Sequence, residues 1–423
     1  MTASGGSNGS MRRQRRLTRC GAPAVGRAPA LVVAVALACV LGPGAQAASA
    51  GLWLVHSAPL PAGARSAELF SVSCPSATTC TAVGDWSRQP DPISTDERAL
   101  IERYDRGRWT LQTAPALLGG TTLEAVSCGS ARACTAVGQR VTDVTELTVA
   151  EHFDGLRWTL QPTPTAAENL TGVSCPTDQQ CIAVGTDSEK PVAEQWDGRR
   201  WRVQPMSYTS PQGAVSGLTA VTCRSTMLCA AVGADDVGVC GSYFTDAFVP
   251  IVGFWKAERW SLTRTPDLTC QRGSHNEGLN SVACASLAAC TAVGNDTDCS
   301  GIVGEPCEQL VERWNGRRWK VQPAPFIKGS ELEGVACPAK TTCTAVGAIA
   351  AQRVATAERS ALLIEGWNGL TWTRETAPLP ADAQFAILHG VSCPSPNVCV
   401  AVGITGNDPT DVGPHHPLIE ATG

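Results

Sequence analysis

Seven copies of one pattern, Cys-x5-Cys-x-Ala-Val-Gly, constrain this chain more than any other feature. The first copy reads Phe70-Ser-Val-Ser-Cys74-Pro-Ser-Ala-Thr-Thr-Cys80-Thr-Ala-Val-Gly84. The others hold Cys128 and Cys134, Cys175 and Cys181, Cys223 and Cys229, Cys284 and Cys290, Cys337 and Cys343, and Cys393 and Cys399. Each copy reads as a strand, a five-residue loop and a second strand that ends in glycine. Successive first cysteines are 54, 47, 48, 61, 53 and 56 residues apart. A repeat of that length, kept through the chain, specifies an array of supersecondary units.

Each period holds four strand-like runs. In the second, strand a is Leu123–Cys128, strand b Cys134–Gly138, strand c Val149–Phe153 and strand d Trp158–Pro162. Asp154-Gly155 is a hairpin signal between c and d, and Pro162 and Pro164 stop strand d because proline cannot donate to a ladder. Four antiparallel strands per unit is the content of a β-propeller blade. The termini complete the pattern. Pro417-Leu-Ile-Glu-Ala-Thr-Gly423 matches strand c and has no strand d after it, while Leu52-Trp-Leu-Val-His-Ser-Ala-Pro59 matches a strand d with nothing before it. The expected fold is therefore an all-β seven-bladed propeller whose N-terminal segment, 51–61, supplies the outer strand of blade seven and hides two sheet edges.

Residues 1–47 read as a signal peptide preceding one propeller domain, 48–423. Arg12, Arg13, Arg15, Arg16 and Arg19 form a basic start, Ala28–Leu41 is apolar but too short to span a bilayer, and Ala45-Gln-Ala47 offers a cleavage site. Lipoprotein anchoring at Cys39 is the alternative, although Ala36 lacks the expected leucine; the export route is left open. After cleavage 27 basic and 38 acidic residues give −11, a balance that argues against nucleic acid. Eighteen of the 20 cysteines remain. In an exported chain they read as disulfides, and the two cysteines of each repeat are expected to pair within their own blade. Cys240, Cys270, Cys299 and Cys307 then pair among themselves, Cys240–Cys270 and Cys299–Cys307 being favoured.

The tryptophans Trp53, Trp109, Trp158, Trp201, Trp260, Trp319 and Trp372 occupy one d-strand slot, and Tyr104, Phe153, Trp196, Trp255, Trp314 and Trp367 a c-strand slot. Such regularity is expected of core packing. Glu102, Glu151, Glu194, Glu312, Glu365 and Glu420 also recur on strand c. They read as hydrogen-bond acceptors or as partners of d-strand arginines such as Arg157 and Arg200, because an active site is built once.

The chain resembles the cysteine-paired propeller repeats, with a Ser-Cys-Pro-Ser…Cys-x-Ala-Val-Gly signature, of secreted proteins in high-GC Gram-positive bacteria. That resemblance implies fold and compartment, not chemistry. The c–d hairpins, best seen at Asn368-Gly-Leu-Thr-Trp372, loosely resemble the Asp-box of sialidase-type propellers. The arginine triad and tyrosine–glutamate pair of a sialidase site are not recognisable.

Function is expected where the repeats differ, on the face that carries the b–c and d–a loops. The b–c segments Asp85–Arg98, Ala234–Phe248, Asn295–Gln309, Ala348–Ser360 and Ile404–His416 vary in length. Trp86 is the one tryptophan outside the two slots. Tyr208, Tyr243 and His275 flank blades four and five, and Phe70, Glu124, Thr171, Thr219, Asn280, Glu333 and His389 would ring the channel mouth. Trp86, Glu124, Tyr208, Tyr243, His275, Glu333 and His389 are the candidate ligand contacts. A metal site at His389, His415 and His416, or calcium at Asp235, Asp236, Asp296 and Asp298, is disfavoured against solvated histidines and turn-forming aspartates. No metal and no cofactor are therefore expected. The favoured reading is a secreted, monomeric, non-catalytic binding module for an extracellular or cell-envelope glycan or protein, with blades four and five as the contact region. The alternative is a propeller lyase or glycoside hydrolase using Glu124, Glu333 and His389.

Overall fold

The computed structural model describes residues 52–89, 96–142, 145–164, 168–187, 190–206, 208, 216–239, 246–256, 258–265, 278–286, 288–296, 308–354, 357–407 and 413–422. They form seven four-stranded antiparallel sheets, each a blade with strands in the order a-b-c-d. Blade one shows the plan, with a Ser66–Ser76, b Thr79–Ser87, c Arg98–Asp105 and d Arg108–Leu111. Blade seven takes a, b and c from Phe385–Ser395, Val398–Gly406 and His415–Thr422, and its outer strand from Trp53–His56. The closing ladder runs from Trp53 opposite Thr422 to His56 opposite Ile419. The ring is thus shut by its own N-terminal strand.

Alternation along each strand sends one set of side chains to each neighbouring blade. Ala67, Leu69, Val72, Ala82 and Leu100 of blade one meet Val400, Val402 and Ile419 of blade seven, and like clusters fill the other interfaces. The d-strand tryptophans are 1–7% exposed and lie against their c-strand aromatics at 5.4–5.8 Å in six blades. They are core, as their spacing implies.

The repeated motif has a closer explanation than its strand pattern suggests. In every blade strand a carries a bulge, placed in blade one between Leu69 and Ser71, so that Phe70 has no cross-strand partner. The extra residue is Glu124, Thr171, Thr219, Asn280, Glu333 and His389 in blades two to seven. The bulge brings the backbone of strand a onto strand b, directly over the glycine of Ala-Val-Gly. A Cβ on Gly84, Gly138, Gly185, Gly233, Gly294, Gly347 or Gly403 would lie 1.9–2.1 Å from a carbonyl oxygen of strand a. The glycine therefore admits the bulge and does not end the strand; strand b continues past it to Ser87 in blade one. Gly138→Ala should lower stability by about 1–3 kcal/mol or more, since backbone must move. Denaturant melts check this, and an unchanged midpoint would contradict it.

All seven repeat disulfides form within their blades. Cys74 is bonded to Cys80, Cys128 to Cys134, Cys175 to Cys181 and Cys223 to Cys229. Cys284 is bonded to Cys290, Cys337 to Cys343 and Cys393 to Cys399. The second cysteine of each pair opens the buried run of strand b, and Cys181, Cys229, Cys290, Cys343 and Cys399 are 0–4% exposed. These cysteines are staples and core at once. Cys240, Cys270, Cys299 and Cys307 lie outside the described residues.

The serine before the first cysteine ties blades together. Ser73, Ser127, Ser174 and Ser392 each accept a hydrogen bond from the N–H of the next blade's first cysteine, at 2.9–3.0 Å. At the c–d hairpins the carboxylate of Asp154 accepts from the N–H groups of Leu156 and Arg157 at 2.9 Å, and Gly155 takes φ 94°. Asp197, Asn315 and Asn368 repeat this Asx turn.

Two expectations need correction. The variable b–c segments of blades four and six are largely strand, with b and c spanning Leu228–Val239 and Asp246–Lys256, then Thr342–Val354 and Ala357–Trp367. Extended pairing takes up their described residues, and 240–245 and 355–356 lie outside these. Among the described residues Glu365 has a d-strand arginine opposite it, Arg374, whereas four of the other strand-c glutamates are not paired in that way. Glu102, Glu151, Glu194 and Glu420 are fully buried, and among the described residues neither carboxyl oxygen of any of them has a hydrogen-bond partner. Arg157 and Arg200 are exposed. Glu365 shows a direct clasp, accepting from Gln309 Nε2 of the preceding blade at 2.8 Å. Burial is the first cause that lifts these carboxyls, to about 8 for Glu102, Glu151 and Glu420 and about 7 for Glu194, Glu312 and Glu365.

Candidate binding face

The bulge residues converge on the central channel, where Phe70, Glu124, Thr171, Thr219, Asn280, Glu333 and His389 line a cavity of about 170 Å³. Three of them are committed to holding the ring. The Thr171 hydroxyl donates to Leu218 O at 2.6 Å, Thr219 to Leu279 O at 2.5 Å, and the Asn280 amide to Leu332 O at 3.1 Å. His389 packs against the Phe70 ring at 5.6 Å, and burial lowers its pKa to about 4, so it is neutral. Glu333 accepts from Asn280 at 3.3 Å. Burial first, then Glu331, raises Glu333 to about 7. Glu124 interacts electrostatically with Glu97 and Glu68 of blade one, and His389 interacts with Glu68 as well.

Blades one and two instead bring four carboxyls within electrostatic reach, those of Glu68, Asp85, Glu97 and Glu124. Asp85 and Glu97 share a single donor. The Thr122 hydroxyl stands 3.0 Å from Asp85 Oδ2 and 3.4 Å from Glu97 Oε2, and its one proton serves one of them at a time. Burial, then Glu68 and Glu97, holds Asp85 well above the ordinary carboxylate range. Burial, then Glu97 and Glu68, lifts Glu124 to about 7. From blade seven the buried His415 hydrogen-bonds Glu68 through Nδ1 and lies 5.8 Å from the Phe385 ring. His416 is exposed. Among the described residues no group of histidines, cysteines and carboxylates has metal-binding geometry.

Beside this cluster, on the same face, blade one opens a groove of about 500 Å³. Trp86, Leu100, Ile101, Ala114 and Leu117 line it, and Leu118 stands on its rim 87% exposed. Glu97 lines the groove and belongs to the carboxyl cluster as well, so the two are continuous. Arg98 reaches Asp96 at 2.9 Å and lies over the Trp86 ring at 5.4 Å, with Arg88 over the same ring at 5.9 Å.

Of the sequence candidates, Trp86 lines the groove, Glu124, Glu333 and His389 line the channel, and Tyr243 and His275 lie outside the described residues. Tyr208 is structural. Its hydroxyl donates to the fully buried Asp235 at 2.6 Å, and Arg264 donates to the same oxygen through Nε at 2.8 Å and Nη2 at 2.6 Å. Asp235 is accordingly an ion-pair partner on strand b and no turn residue. Sequence reasoning passes over Glu68, Asp85, Glu97 and Thr122, which occupy ordinary strand positions. The acidic pair Asp96-Glu97 and the apolar Leu117-Leu118 are legible as departures from the other blades.

Comparison of the sequence with known protein families and with curated proteins finds no match. Among solved structures the chain is similar to YCF48 bound to a D1 peptide, at 12% identity and TM-score 0.51, covering 88% of this chain and 96% of that one. It is also similar to an ulvan lyase of polysaccharide lyase family PL25, at 8% identity and TM-score 0.52, covering 84% and 94%. A GH74 xyloglucanase from Xanthomonas campestris aligns at 13% identity and TM-score 0.49, covering 87% and 55%. The first two likenesses show the propeller fold. The structure defines a disulfide-stapled seven-bladed propeller, and among the described residues no helix is long and apolar enough to cross a membrane.

Proposed function

We propose that this is an exported binding protein, released from its signal peptide after Ala47, that engages an extracellular or cell-envelope ligand as a monomer on the b–c/d–a face. The observation that carries this reading is the groove of about 500 Å³ at blade one, partly apolar, rimmed by the exposed Leu118 and running into charged residues. A concave apolar site with a few convergent polar groups is what ligand recognition uses. Seven disulfides fit an oxidising compartment and give the face a rigid base. Propellers of this fold include both a peptide-bound protein and a lyase, so the fold itself chooses neither. The groove favours a contact region at blades one and two; Tyr243 and His275 of the blade four and five region lie outside the described residues.

A screen of the mature protein against cell-envelope glycans and proteins should return a ligand whose binding Trp86→Ala weakens by about tenfold or more. Trp86 also packs against the blade-one core, so a modest loss of melting temperature accompanies the change. A ligand indifferent to both Trp86→Ala and Leu118→Ser would contradict the assignment.

One observation favours an enzyme as the second reading: Asp85, Glu97 and Glu124 converge with raised pKa values, as general acids do. Cleavage of an envelope polysaccharide, abolished by Glu124→Gln with binding intact, would select it.

A further inference from the structure

The carboxyl cluster at the end of the groove is short of donors. Four carboxyls face one another, and among the described residues the groups that answer them are the Thr122 hydroxyl, shared between Asp85 and Glu97, and His415 on Glu68. The arginine that lines the groove, Arg98, bonds to Asp96 and covers Trp86. Half-buried carboxyls in such number favour retained protons or a cation. A bare metal ion does not suit the described ligands. A cation on a flexible stem does, because the groove leads from solvent to Glu97 along apolar walls that would shelter the stem.

The walls also discriminate between ligand classes. Sugar recognition would use a free aromatic face, but two guanidinium groups already lie over the Trp86 ring. Aliphatic surface is offered by Leu111, Ala114, Leu117 and Leu118 beside the polar Asp96, Glu97 and Gln112. That surface suits apolar side chains, and the acidic end suits a base beside them.

Resting on the binding reading above, we propose that the groove takes a polypeptide segment in which a lysine or arginine stands next to bulky apolar residues. The basic head meets Glu97, Asp85 and Glu124, and the apolar neighbours lie against Leu111, Leu117 and Leu118. Binding supplies the donors that the cluster lacks. This makes the partner a protein with an exposed basic–apolar segment in place of a glycan.

The test uses the mature chain and a fluorescein-labelled octapeptide of alternating leucine and lysine, with glutamate and norleucine replacing lysine in two control peptides. The lysine peptide should bind, both controls should be weaker by about tenfold or more, and Glu97→Gln should weaken the lysine peptide by a similar factor. Leu118→Ser, a change at an exposed position, should weaken all three. Equal affinity for the glutamate peptide, or indifference to Glu97→Gln, overturns the inference. A glycan or acidic protein from the envelope screen that is lost with Trp86→Ala and unmoved by Glu97→Gln would overturn it too, while leaving the binding reading intact. Loss of neither peptide nor envelope ligand on changing Trp86 and Leu118 would sink both. Circular dichroism melts of Glu97→Gln and Leu118→Ser, expected to match the parent, keep folding defects from imitating either result.

Discussion

Raising the pH from 5 to 8.5 should lower the melting temperature by about 10 °C or more. Six strand-c carboxyls sit in the interfaces between blades, 0–1% exposed, and four of them have no hydrogen-bond partner among the described residues. In the unfolded chain a glutamate titrates near 4.5, whereas in the folded ring Glu194, Glu312 and Glu365 hold protons to about 7, and Glu102, Glu151 and Glu420 to about 8. Through that window the folded state binds more protons than the unfolded state, so stability falls as pH rises. It is fully present below about 4.5, is lost through 7 to 8, and levels off above. Each group contributes a slope of about 1.4 kcal/mol per pH unit within its own window, reduced where water reaches the ionised form. Glu102→Gln, Glu151→Gln and Glu420→Gln should each flatten the profile, raising the melting temperature at pH 8.5 and leaving it nearly unchanged at pH 5. A flat profile between pH 5 and 8.5 would show that these carboxyls meet donors.

Deletion of residues 52–61 should be the most damaging small truncation. It removes the outer strand of blade seven and exposes the ladder edge of His415–Thr422. It also removes Trp53, 1% exposed, whose ring packs with Ile364, Leu388 and Leu418 and whose Nε1 donates to Glu375 Oε2 at 2.8 Å. Trp53→Ala alone should cost about 3–5 kcal/mol. The deletion should cost more and bring self-association through the open edge. Calorimetry and size-exclusion chromatography check both, and a truncated chain that stays monomeric and melts like the parent would show that closure contributes little.

Blade number, strand order, ring closure and the seven disulfides were legible because each is written seven times, or once at each end, in local spacing. The aromatic slots were legible for the same reason. The role of the Ala-Val-Gly glycine was not, since it depends on a bulge in the neighbouring strand that no residue type announces. The strand-c glutamates mislead because a carboxylate suggests a partner, while burial between blades instead keeps the proton on. Of the site, Trp86 and Glu124 stood out as departures from the repeat. Glu68, Asp85 and Glu97 did not, because the register that sets Glu68 opposite Asp85 within blade one is not announced by residue type, and Tyr208 looks free until Asp235 and Arg264 are seen around its hydroxyl.

On the proposed reading, ligand meets the b–c/d–a face at blades one and two. Exposed leucines mark the two faces, Leu118 on the groove rim at 87% and Leu156 and Leu370 on the c–d hairpins at 90% and 81%. Hydroxyl-radical footprinting of the mature protein, with and without the ligand returned by the envelope screen, reads both faces at once. Protection of Trp86, Leu117 and Leu118, with Leu156 and Leu370 still reactive, is the expected result. Protection of Leu156 and Leu370, with Trp86 and Leu118 unchanged, would place the ligand on the hairpin face and contradict it.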